Sequence, residues 1–156
     1  MTALPALDHT VFLRRAFAVA RRARDAGDHP FGAILVGPDG GVLMEQGNGF
    51  QSNQRDMTAH AERLLASAAC RRFDAASLAV STLYSSAEPC AMCAGAISHA
   101  RLRRLYYAAE DPKGGAVDNG PRFFHQPTCH NAPEVYGGVR ESEAAAMLRA
   151  FFAARR

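Results

Sequence analysis

Two short segments, Thr58-Ala59-His60-Ala61-Glu62 and Ser86-Ala87-Glu88-Pro89-Cys90-Ala91-Met92-Cys93, constrain this chain more than any other feature. One histidine and two cysteines suit tetrahedral zinc with a fourth position left to water, the arrangement of a catalytic rather than a structural centre. Taken singly, the signals are weak: a Cys-x-x-Cys pair also suits a redox couple, and a His-x-Glu is common in any helix. Taken together, with Pro89 directly before the first cysteine, they read as one zinc site built from His60, Cys90 and Cys93. Glu62 is not needed to hold the metal and is left to act as the base.

Helix geometry restricts how the two segments can meet. Thr58 serves as N-cap of a helix running through Leu64, Leu65 and Ala68 to about Cys70, which puts His60 and Glu62 in its first turn. Positions two apart point about 200° away from each other on an ideal helix, so the pair can converge only on a site at the N-terminal end. Pro89 suits the first position of a second helix, where its missing N–H costs little, and Cys90 and Cys93 follow in the first turn. The positive end of that helix dipole favours thiolate over thiol. Two helix N-termini are therefore expected to face one another across the metal.

The remaining periodicities surround this pair with a sheet. Asp8 caps a first helix that ends at Gly27, with Phe12, Ala16, Val19, Ala20 and Ala23 on one stripe. The apolar run Phe31 to Val36, the turn Gly37 to Gly41 and the extended Val42 to Phe50 predict a hairpin, its first strand buried on both faces. Asn48 follows in Gly47-Asn48-Gly49, where it reads equally as a turn residue and as a ligand-binding one. Leu78 to Tyr84 and Arg103 to Ala108 predict two further strands, and Glu134 to Val139 a fifth. Phe123-Phe124 forms a short helical turn. A last helix opens at Glu141 and Glu143, packs Leu148, Phe151 and Phe152 inward and closes on Arg155 and Arg156. The Asp111-Pro-Lys-Gly-Gly115 loop, at a strand end, is placed for substrate contact. Helices alternating with strands in this order predict a three-layered α/β fold with a mixed sheet.

Composition bounds the function classes. At 156 residues the chain is expected to form one domain, 1–156, with a full core. No apolar stretch is long enough to span a bilayer and no secretory pattern precedes Asp8, so a soluble, cytoplasmic protein with no membrane partner is expected. Of the four cysteines, Cys70 and Cys129 are left as free thiols, and no further ligands accompany Cys129-His130 to make a second metal site. The net charge of +3 comes almost entirely from arginine, with Lys113 the only lysine, but it is spread rather than gathered into a basic run. Charge alone is weak support for nucleic-acid binding.

His-x-Glu followed by Pro-Cys-x-x-Cys is the signature of the zinc nucleobase deaminases. Over nearly its full length the chain resembles the cytidine deaminase-like superfamily, in the branch of guanine and nucleoside deaminases and bacterial tRNA adenosine deaminases. The resemblance implies an α/β/α sandwich around a five-stranded sheet, zinc on His60, Cys90 and Cys93, Glu62 as proton shuttle, and a homodimer whose neighbour helps to shape the pocket. It further implies that Asn48 and Phe31 line the base pocket, that Ala61 supplies a backbone N–H there, and that Asp111 contacts an RNA sugar if the substrate is RNA.

On substrate the resemblance divides. Cys90 to Ile97, His99-Ala-Arg101 and Tyr106-Tyr107 through Asp111-Pro-Lys-Gly-Gly-Ala116 are similar to bacterial tRNA adenosine deaminases. His29-Pro-Phe-Gly-Ala33, Arg72-Phe73-Asp74, Leu83-Tyr84 and Ser86-Ala87-Glu88 are similar to guanine and other small-base deaminases. Residues at the base itself constrain the substrate most directly, so the leading expectation is hydrolytic deamination of a free base or nucleoside, a guanine-type purine foremost. The alternative is wobble adenosine of tRNA. A zinc-binding scaffold without turnover is a third reading, against which the presence of Glu62 argues.

Overall fold

A computed structural model describes residues 7–139 and 141–153. In chain order it contains α1 (His9–Asp25), β1 (Gly32–Val36), β2 (Val42–Gly47), α2 (Ala61–Arg72), α3 (Ala75–Leu78), β3 (Thr82–Ala87), α4 (Ala91–Ala100), β4 (Arg104–Ala109), β5 (Glu134–Tyr136) and α5 (Glu141–Ala153), with one 3-10 turn at Phe123–His125. The strands lie in the order β2-β1-β3-β4-β5. β1 is antiparallel to both β2 and β3, whereas β3–β4 and β4–β5 are parallel, so the sheet is mixed. α4 makes the crossover between parallel β3 and β4.

Strand alternation divides the core into two layers. Ala33, Leu35, Leu83, Leu105 and Tyr107 face α2 and α4, where they pack with Leu65, Ala69, Ala94 and Ile97. The intervening Ile34, Val36, Tyr84, Tyr106 and Ala108 face Leu13, Phe17 and Val19 of α1. α5 packs against β4. The result is a three-layer α/β/α sandwich. Each fully buried Leu or Ile contributes about 1.5–3 kcal/mol relative to exposure, so both layers hold the sheet strongly. β1 is buried along its whole length, as its uniform apolarity predicts. α1 crosses it so closely that a Cβ on Gly32 would lie 2.5 Å from Ala20 N and 2.6 Å from Ala16 O.

Several local boundaries differ from the expectation. The carboxylate of Asp8 caps α1 as predicted, accepting from Val11 N, but the buried stripe also takes in Leu13 and Phe17. Thr58 is not the cap of α2. Its N–H and hydroxyl both donate to Asp56, a local turn that competes with capping, and His60 occupies the N-cap position instead. Leu78 belongs to α3, which starts because Asp74 accepts from Ser77 N, so β3 begins only at Thr82. Pro89 lies just outside α4, whose N-cap is Cys90. β5 is shorter than Glu134 to Val139. The side chains of Leu148, Phe151 and Phe152, and Arg155 and Arg156 altogether, lie outside the described residues. No described helix is long and apolar enough to cross a membrane.

Candidate metal centre and active site

The two expected helix starts do meet. His60 and Cys90 are the N-cap residues of α2 and α4, and neither side chain caps its own helix, because both turn towards each other. His60 Nδ1 lies 3.5 Å from Cys90 Sγ and 3.6 Å from Cys93 Sγ. All three ligand atoms fall within 4.8 Å of one another. Tetrahedral zinc, with bonds of roughly 2.0–2.1 Å to nitrogen and 2.3 Å to sulfur, requires N···S separations of about 3.6 Å, so the donor set fits the metal. Among the described residues this is the only such cluster. Cys129 is instead held in a small polar knot, its Sγ 3.4 Å from Asn131 O and 3.5 Å from Ser98 Oγ.

Protons and metal compete for this cluster. The hydrogen bond from the Cys93 thiol, reinforced by His60, lowers the Cys90 pKa to about 4. The same contact with Cys90, together with burial, pushes Cys93 strongly up. The hydrogen bond to Cys90 raises His60 in turn. Zinc replaces these shared protons, since its ligands bind as thiolate and neutral imidazole.

Glu62, the second residue of α2, is buried and accepts a hydrogen bond of 2.6 Å from Ser85 Oγ on β3. Ser85 was not foreseen as a functional residue, and no local pattern marks it. It faces Glu62 because it continues the alternation of Leu83 towards α2.

A cavity of about 110 Å³ opens beside the cluster. His60, Glu62 and Cys90 line it together with Asn48, Phe31, Ala87, Asp111, His29 and Glu88. The expected Asn48, Phe31 and Asp111 are thus brought to one pocket with the metal ligands. Ala61 is fully buried and does not line it. What it can offer is its backbone N–H, one of those that a helix start leaves without an intrahelical acceptor. Asn48 Oδ1 accepts from Phe50 N at 2.9 Å and from His29 N at 3.4 Å, so it serves the turn and keeps its Nδ2 for a ligand. His29, stacked on Phe50 with centroids 4.7 Å apart, lines the pocket with Ala87 and Glu88, none of which sequence reasoning placed there. Its adjacency to Pro30-Phe31 was the available signal.

Glu88 is not available for proton transfer. Its Oε2 accepts from the backbone N–H groups of Val117, Asp118 and Asn119, and its Oε1 from Asp111 N and Asn119 Nδ2. Burial pushes its pKa up, but these donors outweigh burial and hold it below the ordinary value.

Residues 7–109, which contain both ligand segments, match the family described as the cytidine and deoxycytidylate deaminase zinc-binding region. The chain belongs to that family. This deaminase is 50% identical over 149 residues to the tRNA-specific adenosine deaminase of Agrobacterium fabrum, covering 96% of this chain and 97% of that one. It matches a structure from a study of A-to-I editing by tRNA:A34 deaminases with a TM-score of 0.79 and 49% identity, over 89% of this chain and 99% of the other. Against the guanine deaminase of Bacillus subtilis the TM-score is 0.61 and the identity 31%, over 94% of each chain. As a member of the family it is a zinc-dependent hydrolytic deaminase, which removes the reading as a scaffold without turnover.

These likenesses support the tRNA-adenosine alternative better than the leading expectation of a guanine-type substrate. Most of the residues that suggested a small-base enzyme lie outside the pocket. Ser86 Oγ accepts from Gly32 N, Asp74 caps α3, Arg72 lies over the Phe73 ring, and Leu83 and Tyr84 are core. Of that set only His29, Phe31, Ala87 and Glu88 reach the pocket, and Glu88 is bound to the protein's own loop.

Proposed function

We propose that this deaminase converts the wobble adenosine of a tRNA to inosine, replacing the exocyclic amine with a carbonyl and releasing ammonia. The observation that carries the reading is the 50% identity to a tRNA-specific adenosine deaminase across 97% of that protein's length. His60, Cys90 and Cys93 hold the metal. Bound zinc supplies Lewis-acid activation of the attacking water at near-neutral pH.

Everything else in the reaction falls to the chain's own side chains. Glu62 takes a proton from the attacking water and delivers it to the ring nitrogen beside the attacked carbon. It then carries a second proton to the departing amine, so that water is consumed and ammonia leaves. Ser85 holds the Glu62 carboxylate in place for both transfers. Its single hydroxyl proton has a second acceptor, Ala87 O at 2.8 Å, to which it can turn while Glu62 carries a proton. Asn48 Nδ2 and the Ala61 N–H donate to the base, Phe31 supplies an apolar wall, and Asp111 meets the ribose at the pocket mouth. A single domain over 1–156, a homodimer with a shared pocket and a cytoplasmic site of action complete the proposal.

The test is the zinc-loaded protein offered an anticodon stem-loop with adenosine at the wobble position, free adenosine and guanine in parallel. Inosine is expected in the stem-loop alone, with an affinity that falls steeply with salt because each phosphate contact releases counterions. Ammonia from guanine with an unreacted stem-loop overturns the proposal in favour of a free-base enzyme.

A further inference from the structure

Glu88 stands immediately before Pro89 and Cys90, yet its carboxylate turns away from the metal and into a loop. Three successive N–H groups, those of Val117, Asp118 and Asn119, converge on Oε2 at 3.0, 2.9 and 3.1 Å. Such a run of amides is an anion-binding nest, here filled by the protein itself. Oε1 accepts from Asp111 N at 3.0 Å and Asn119 Nδ2 at 2.7 Å, so one carboxylate ties both ends of the 111–119 segment together. No cation pairs with Glu88 among the described residues. The contact leaves no space: a Cβ on Gly115 would lie 2.6 Å from Glu88 Oε2 and 2.5 Å from Asp111 O. The segment is also fastened by Ala116 N donating to Pro89 O at 3.0 Å and by the Tyr107 hydroxyl donating to Asp118 Oδ2.

We propose that Glu88 is a positioning residue for substrate: it holds the 111–119 loop as a wall of the pocket and so sets where Asp111 meets the bound nucleotide. Asp111 needs such a hold. Its Oδ1 accepts from Lys113 N and Gly114 N, which folds the turn, but its own backbone is fixed to the rest of the protein through Glu88. A glutamine cannot replace Glu88, because its NH₂ would face either the three converging amides or the two donors at Oε1. The role concerns where the loop sits and leaves the proton transfers to Glu62, so its loss acts on substrate capture more than on the chemical step.

The experiment compares wild type, Glu88→Gln and Gly115→Ala, all zinc-loaded, by amide hydrogen exchange and by kinetics on the anticodon stem-loop; only the kinetic arm rests on the proposed tRNA reading. Glu88→Gln is expected to keep one zinc per chain and to speed exchange within 111–119 by at least about tenfold, the scale of a lost charge-assisted hydrogen bond, with the core strands unchanged. On the stem-loop, KM rises by at least about tenfold while kcat stays within about threefold. Gly115→Ala, which displaces the same carboxylate from the other side, gives the same pattern, and the double variant is worse than either single one by no more than about twofold, as coupled sites require. Unchanged exchange in the loop, or a fall in kcat at constant KM, overturns the proposal. If Glu88→Gln loses zinc or does not fold, Asn119→Ala, which removes only the Asn119 Nδ2 bond to Oε1, carries the same two outcomes. A wild type inactive on the stem-loop defeats the tRNA reading, and loop exchange then decides the role of Glu88.

Discussion

The hydroxyl of Ser85 lies 2.6 Å from Oε1 of Glu62, and both side chains are buried. The proposed proton carrier is thus held by a strand residue that no motif includes. Ser85→Ala is expected to keep zinc and to lower kcat by roughly 10- to 100-fold, in line with the ~1.5–3 kcal/mol of a hydrogen bond to a charged group. Glu62→Gln should also keep zinc and lose the ~10²–10⁴-fold typical of a general acid–base. Steady-state kinetics beside elemental analysis separates the two effects. Wild-type turnover in Glu62→Gln would remove Glu62 from the mechanism.

Metal retention is expected to depend on the three clustered residues. His60→Ala, Cys90→Ala and Cys93→Ala are each expected to lose zinc and to melt at lower temperature, because metal binding is linked to folding. Cys129→Ala should retain full occupancy, since its sulfur contacts Asn131 O and Ser98 and not the cluster. Zinc content per chain and thermal melting check both statements.

Asp28 gives the protein an acid-labile staple. It is buried and accepts from Gln51 N at 2.7 Å, Ser52 N at 3.0 Å and Ser52 Oγ at 2.6 Å, fixing the segment that follows Asn48. Burial raises its pKa, but the Ser52 and Gln51 donors outweigh burial and hold it below the ordinary value. A carboxyl depressed in the folded state contributes stability above its unfolded pKa, near 4, and loses it as pH falls through the lower folded value. Asp28→Asn is therefore expected to melt lower than wild type at pH 7, and the gap should close below pH ~4. Taking the difference between the two proteins cancels the zinc loss they share. A gap that does not change with pH would show that the Asp28 contacts do not depend on its charge.

Gly32 sets the distance between α1 and the sheet. Gly32→Ala drives a Cβ into the backbone of Ala16 and Ala20, which cannot move aside as a flexible side chain would. The expected loss is at least the ~1–3 kcal/mol of an overpacked core, read from chemical denaturation. Stability within error of wild type would mean that α1 can shift without cost.

What the sequence determined by itself is what depends on neighbours close along the chain. The Asp8 cap, the uniform apolarity that buries β1 on both faces, and the placing of His60, Cys90 and Cys93 at two helix starts all follow from spacings of a few residues. Local competition limited even these, since Asp56 and Asp74 moved the starts of α2 and β3 by bonding nearby groups. The sequence already offered Glu62 as the base, but the partners of the two glutamates beside the metal ligands come into view only in three dimensions. Glu62 and Glu88 carry the same side chain within their segments, but α2 sets Glu62 against Ser85, whereas Glu88 is filled by donors from residues 111–119. In the same way Ser86 and Asp74 looked like substrate markers until the tertiary structure showed one bonded to Gly32 and the other capping α3. A carboxylate or hydroxyl takes its role from whatever donors and acceptors surround it, and at Glu62, Glu88 and Ser86 those partners come from distant parts of the chain.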